Sequence, residues 1–171
     1  MTSPRQGRPD TVAGMNATVQ RVREALDAHG VVGAIHTFAT PVPSAAAAAE
    51  QLGCPVGAIV NSLVFSAAGA PVLVLTSGAH RVDVARVARH LCVGRKQVRR
   101  ADPALVLAAT GQQVGGVAPV GHPGRLTTLV DPWLERFDVV WAGAGDEHSV
   151  FPVTCAELVR MTGGTLVEVG A

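Results

Sequence analysis

Two apolar runs, Ala58 to Ser66 and Val72 to Thr76, are separated by only AAGAP. Five residues permit a turn and little else, so the two runs read as β-strands joined by a hairpin-like connection. The first run lies in GAIVNSLVF, Gly57 to Phe65, and the serine after it, with Asn61 and Ser62 in its middle. Successive strand side chains point to opposite faces. Asn61 therefore shares a face with Ile59, Leu63 and Phe65, and Ser62 shares the other with Val60 and Val64. An amide on an apolar face costs about 1–3 kcal/mol if its hydrogen bonds go unmade. Asn61 is either a satisfied buried amide or a donor aimed at a substrate.

The remaining elements follow from periodicity and punctuation. Asn16 to His29 reads as a helix with Val19, Val22 and Leu26 on one face, stopped by Gly30. Val31 to Ala39 reads as a strand. Ser44 caps a helix through AAAAAEQL that ends at Gly53. Asp83 to Leu91 has helical spacing, and Gly94 to Arg100 reads as a short basic strand. Asp102-Pro103 starts a helix that Gly111 ends. QQVGGVAPVGHPG is too rich in Gly and Pro to be regular. Thr127 to Val130, Val139 to Ala142, Ser149 to Val153 and Thr165 to Val169 read as strands. Pro132 to Arg136 reads as a helical turn, capped by Asp131, and Thr154 to Met161 as a helix. The fold class expected is α/β, one domain over residues 15–171, built on a mixed, largely closed, barrel-like sheet surrounded by short helices. Residues 1–14 read as a disordered leader.

The chain has 171 residues, 48% hydrophobic and 16% charged, which suits a compact core and argues against disorder. Cys54, Cys92 and Cys155 are far apart, with no metal-ligand spacing, so packing thiols in a reduced, cytoplasmic protein are expected. No segment is long and apolar enough to span a membrane. The formal charge of +1 is unevenly spread. His80 to Arg100 holds seven basic residues against Asp83 alone, whereas Ala101 onward holds three basic and eight acidic ones. Arg86, Arg89, Arg95, Lys96, Arg99 and Arg100 form either a solvated surface or a footprint for a polyanion.

Three places invite chemistry: Asn61-Ser62, the Gly115–Gly121 loop, and the AGAGDEH turn ending at His148. Glycines let backbone N–H groups approach a ligand, as in an anion nest or oxyanion hole. The AGAG turn lacks the third glycine and the helix of a dinucleotide site.

The order of VNSLVF, PVLVLTSGAHRVD, ATGQQVGGVAPVGH, LVDPWL and VVWAGAG resembles the aminoacyl-tRNA deacylase family. That family includes the free-standing YbaK proteins and the insertion domain that edits for prolyl-tRNA synthetase. GGVAPVG matches its Gly-x-x-x-Pro loop as Gly115 to Pro119. The resemblance implies a trans-acting hydrolase for the ester of a tRNA mischarged with a small amino acid such as Ala, Ser or Cys. The neighbours of His80, His122 and His148 form no ligand motif, so no metal is expected, and no cofactor is implied. Its partners would be the aminoacyl-tRNA acceptor end, contacted by the basic stretch, and a synthetase. Catalysis would rest on Asn61 and on the Gly115 and Gly116 N–H groups, with the neighbouring hydroxyl of the terminal adenosine assisting. Substrate contacts would come from His36, Ser62, Thr76, His80, Pro119, His122 and His148. Phe38 reads as core in preference to a base platform, and Asp131 as a cap outside the catalytic set.

One residue departs from the pattern. The resemblance implies a lysine where this chain has Asn61, and Lys96 is its only lysine. An amide offers two donors and an acceptor but no charge. Two rival readings stay open: a binding protein of the same fold that holds the aminoacylated 3′ end or a free nucleotide without hydrolysis, and an unrelated hydrolase using His148 on a different ester.

Overall fold

The computed structural model describes residues 17–171; the leader read at 1–14, and Asn16, lie outside them. The elements in chain order are α1 (Ala17–Ala28), β1 (His36–Thr37), α2 (Ala45–Leu52), β2 (Ile59–Ala67), β3 (Ala70–Ser77), α3 (Val84–Leu91), β4 (Val98–Arg100), α4 (Pro103–Thr110), β5 (Thr127–Val130), β6 (Val140–Gly143), β7 (Ser149–Val153), α5 (Cys155–Thr162) and β8 (Thr165–Leu166). Short 3₁₀ turns occupy Val56–Ala58, Arg95–Gln97 and Pro132–Arg136.

All eight strands join one mixed sheet, ordered β1-β7-β6-β2-β3-β5-β8, with β4 added beside β2. The AAGAP hairpin sets its centre, pairing Asn61 with Thr76 and Leu63 with Val74. The other edge of β2 is shared. Its start pairs with β6 in parallel, at Ile59 and Val60, and its end pairs with β4 in antiparallel, from Phe65 to Ala67. β1 and β8 end the path without pairing to each other, so the sheet is mixed as expected but not closed.

The alternation of β2 and β3 divides the core. Val60, Val64, Leu73 and Leu75 face the largest cluster with Val22, Leu26, Val106, Phe151 and Leu158. That face is covered by α1, α4 and α5. Phe65, Val72 and Val74 face the opposite way, onto Val87 and Ala88 of α3. Ile59 packs on Ala48 and Ala49 of α2.

Three predicted strands are shorter than their sequence patterns. Val31 to Ala39 pairs only at His36–Thr37, because Ala34 would next meet Pro152 of β7. The β6 register places Ala142 in a bonded pair with Phe151, since Ala144 N–H reaches Ser149 O at 2.9 Å. Pro152 therefore turns its backbone toward β1, where it has no N–H to offer. Gly94 to Arg100 begins as a 3₁₀ turn because the Gln97 side chain folds back to accept the Gly94 N–H at 2.8 Å. Thr165 to Val169 pairs as a strand only at Thr165–Leu166, beside β5. The helix caps fall where the sequence places them: Ser44, Asp83, Asp102 and Thr154 each accept a first-turn N–H.

Candidate active site

The branching of β2 creates the site. Between its pairings with β6 and β4 the strand borders a cavity of about 370 Å³, lined by Ile59 through Val64. The rest of the wall comes from Phe38, α2, Arg100, Val114 to Val117, Trp141, Asp146 and Glu147. Asn61 and Ser62, on opposite faces of β2, both border it, as do Gly115 and Gly116. Three of the places singled out in the sequence, far apart in the chain, thus meet at one opening.

Asn61 is half-buried, and among the described residues its amide has no hydrogen bond to the protein. Ser62 is more pointed. Its Oγ is shielded from solvent and has no hydrogen-bond partner.

The glycine loop is pinned by Gln112, a residue the sequence reading passed over. Buried at 2% exposure, Gln112 donates from Nε2 to Val120 O at 3.1 Å and accepts the Ala118 N–H at 2.6 Å. One side chain therefore staples both ends of the Ala118–Val120 segment. Gly115 has φ +96°, and Gly116 sits so close to the following turn that a Cβ would lie 2.7 Å from Asp146 Cα. Gly116 N–H donates to Gln113 O at 3.2 Å. Of the two N–H groups expected to donate to an oxyanion, that of Gly116 is thus engaged within the loop, and that of Gly115 has no partner among the described residues.

Other expected contact residues lie elsewhere. Thr76, though paired across from Asn61, is 1% exposed and donates its hydroxyl to Asp131 at 3.3 Å. His80 Nδ1 lies 2.8 Å from the same carboxylate, and its ring packs on Trp133. Asp131 also accepts the N–H groups of Ser77 and Trp133. It caps the turn as expected and in addition closes a buried polar knot that occupies Thr76 and His80. Pro119 and His122 border a second cavity of about 230 Å³ with His29 and Met161. His122 Nε2 bonds Ala118 O at 2.7 Å, and burial holds its pKa below the ordinary 6.5. His148 is half-buried. Its N–H goes to Asp146 Oδ1 and its carbonyl to Phe38 N–H, and its side chain does not line the main cavity. His36 is exposed, edge-on to Phe38 at 5.0 Å and to Trp141 at 6.5 Å, one layer behind the cavity wall.

The acidic neighbours of His148 take the place expected for it: Asp146 and Glu147 line the cavity. Trp141, also missed, lines it because its register opposite Ile59 turns it toward α2. Phe38 is buried as core and yet forms part of the wall. Cys155 is a packing thiol, with burial pushing its pKa up to about 11, whereas Cys92 is exposed where α3 ends, against the expectation of a packing thiol.

The basic stretch divides. Arg86 is engaged by Asp83, Glu168 and the carbonyl of Gly170, which removes it from the expected phosphate contacts. Arg89, Arg95, Lys96, Arg99 and Arg100 are exposed. Arg100 lies over the Phe65 ring at 5.6 Å and reaches the cavity edge. Among the described residues, no three His, Cys, Asp or Glu side chains converge as a metal site would need, and no helix is long and apolar enough to cross a membrane.

Residues 39–161 match the family model of the aminoacyl-tRNA editing domain. The crystal structure of a candidate trans-editing enzyme for prolyl tRNA synthetase superposes with a TM-score of 0.84 at 32% identity, covering 91% of this chain and 98% of that one. The uncharacterized protein YwhH of Bacillus subtilis (strain 168) is 31% identical over 122 residues, 71% of this chain and 76% of the relative. The proline–tRNA ligase of Solidesulfovibrio magneticus is 31% identical over 105 residues, which is 58% of this chain but 17% of that much longer enzyme.

Proposed function

The chain belongs to the aminoacyl-tRNA editing domain family, and from that premise we propose that it is a trans-acting deacylase. Its substrate would be a tRNA mischarged with a small amino acid, such as Ala, Ser or Cys. The observation that carries this reading is the cavity at the branch of β2, where Asn61, Ser62, Gly115 and Gly116 gather and the Asn61 amide has no partner among the described residues.

Hydrolysis adds water to the ester carbonyl carbon, and negative charge develops on the carbonyl oxygen. The bond to the ribose oxygen then breaks, and that oxygen takes up a proton. Donors fixed where the charge develops carry the largest share of such catalysis. The Gly115 N–H serves that role, and the Asn61 amide holds the carbonyl or the terminal ribose. Among the described residues no His or Cys lines the cavity, so neither a Ser–His nor a Cys–His pair is offered there. This favours water assisted by the neighbouring ribose hydroxyl, with the protein acting by positioning.

Arg89, Arg95, Lys96 and Arg99, leading to Arg100 at the cavity edge, would bind phosphates of the acceptor end. The cavity lies near the small end of ligand pockets, roughly 300–1,000 Å³. That suits a short side chain, and discrimination per methylene would be only about 1–3 kcal/mol.

The test is deacylation of tRNA(Pro) carrying Ala, Ser, Cys or Thr, by the protein and by its Asn61→Ala variant. Turnover of at least one ester, falling about tenfold or more in Asn61→Ala, supports the reading. Retained tRNA binding with no turnover of any ester would sink it and leave a binding protein whose chemistry is absent.

A further inference from the structure

The edge of β2 that faces β6 and β4 has a gap one residue wide. Gly78 N–H reaches Ile59 O at 2.7 Å, which fixes the phase of the β2–β3 ladder. In antiparallel pairing, bonded and non-bonded positions alternate. Ile59, Asn61, Leu63 and Phe65 therefore turn their backbone groups toward β3, while Val60, Ser62 and Val64 turn theirs away. Val60 meets β6, whose pairing with β2 ends there. Val64 O accepts the Ala101 N–H at 3.0 Å, at the end of β4. Between them the N–H and C=O of Ser62 meet no strand, and among the described residues no other group bonds them. They open onto the 370 Å³ cavity.

A second observation marks the same place. Ser62 Oγ, on the face shared with Val60 and Val64, is shielded from solvent without a partner. Buried polar groups are nearly always hydrogen-bonded, so the Ser62 hydroxyl marks the same place as the strand-free N–H and C=O beside it. The titratable side chains lining that cavity are Asp146, Glu147 and Arg100. A carboxylate pair at the wall accommodates a cation there.

We propose that the gap at Ser62 is filled by the aminoacyl group of the substrate, lying as a one-residue strand. Its ester carbonyl accepts the Ser62 N–H, its α-ammonium donates to the Ser62 carbonyl, and the acidic wall of Asp146 and Glu147 supplies the counter-charge. This rests on the editing reading above and adds a substrate class to it: esters with a free α-ammonium. An α-amino ester is the smallest fragment that presents a donor and an acceptor from adjacent atoms as a strand residue does. N-acylation removes the positive charge and two of its three N–H donors, and adds bulk where β6 and β4 converge on β2. N-acylated aminoacyl-tRNA and peptidyl-tRNA are therefore excluded.

The experiment compares alanyl-tRNA with N-acetylalanyl-tRNA on the unaltered protein, then on Ser62→Ala and Ser62→Pro. Proline is tolerated in strands where the N–H faces away from the ladder, and Ser62 N–H does so. Expected is a preference of about 100-fold or more for the free amine and a loss of about 100-fold in Ser62→Pro, the usual scale for one positioned carbonyl donor. Ser62→Ala should lose far less. Hydrolysis of the two esters within about threefold of each other would overturn the proposal, whether or not Ser62→Pro folds. So would a folded Ser62→Pro, checked by its melting transition, with full activity. Failure of the unaltered protein to hydrolyse alanyl-tRNA and every other ester of the panel above would overturn the editing reading, and this one with it.

Discussion

A methyl group added at Gly116 tests how tightly the glycine loop is registered against the turn beyond β6. In Gly116→Ala the new Cβ would lie 2.7 Å from Asp146 Cα, 2.9 Å from its carbonyl carbon and 3.1 Å from its nitrogen. Carbon atoms rest at about 3.5–4.0 Å, so loop and turn must separate by about 1 Å. Neither can swing aside freely. The loop is held by Gln112 on Ala118 and Val120, and the turn by Asp146 on His148 N–H and by Glu147 O on Val42 N–H. Overpacking of this kind costs about 1–3 kcal/mol, which lowers the melting temperature by roughly 2–12 °C in a chain of this size. The larger effect is on chemistry, since a displacement of about 1 Å at a reacting group costs on the order of 100-fold in rate. Single-turnover deacylation and a thermal melt of the same sample read both. Gly115→Ala makes a useful companion, because its Cβ meets only the flexible Glu147 side chain and the φ of +96° is the main obstacle. A Gly116→Ala protein with a rate within about threefold of the parent and an unchanged melt would refute the claim that backbone contact fixes the loop.

Three further outcomes follow from other parts of the molecule. Asp131→Ala leaves donors from Thr76, Ser77, His80 and Trp133 without their acceptor in a site 2% exposed. It should lose about 3–5 kcal/mol in urea unfolding; a loss under about 1 kcal/mol would mean water replaces the carboxylate. Burial of His122 favours its neutral form in the folded state, so its contribution is complete above about pH 6.5 and declines as pH falls and the unfolded chain takes up the proton. His122→Gln should flatten that acid-side slope in stability measured from pH 7.5 to 5, and an unchanged slope would exclude His122 as its source. Arg99→Ala with Arg100→Ala should reduce the slope of log affinity against log salt for tRNA by about 1–2, and an unchanged slope would place the RNA on another face.

The parts of this fold that were legible in the sequence are those decided by near neighbours. Caps at Ser44, Asp83, Asp102 and Thr154 bond residues two or three positions away. The AAGAP hairpin likewise joins adjacent runs. What was not legible depends on partners distant in the chain. β1 looks like a nine-residue strand, and only Pro152 in β7 shortens it. Thr76 and His80 look available until Asp131, more than fifty residues on, takes both. Arg86 looks like a phosphate contact until Glu168 and Gly170 reach it. Within the site, Asn61, Ser62 and the glycine loop were found as local anomalies. Trp141, Glu147 and Gln112 were not, because a tryptophan in a strand, an acid in a turn and a glutamine after a helix carry no local signal.

The asparagine at position 61 fits this division of labour. The family resemblance implies a lysine, whose charge would stabilise the developing oxyanion from a side chain. On the proposed reading, the groups left to meet the carbonyl oxygen without it are the Asn61 amide and two backbone donors, Gly115 N–H and Ser62 N–H. Backbone donors are fixed by the sheet and the loop, need no charge to be desolvated and lose no rotamer freedom on binding. A neutral residue at 61 also leaves the α-ammonium of a substrate free of a like charge: two unit charges about 5 Å apart repel by about 3 kcal/mol at an effective dielectric constant of 20. On this reasoning the rate depends more on the strand and loop geometry than on any one side chain. Removing the Asn61 amide is then milder than removing the Ser62 N–H or forcing Gly116 from its turn.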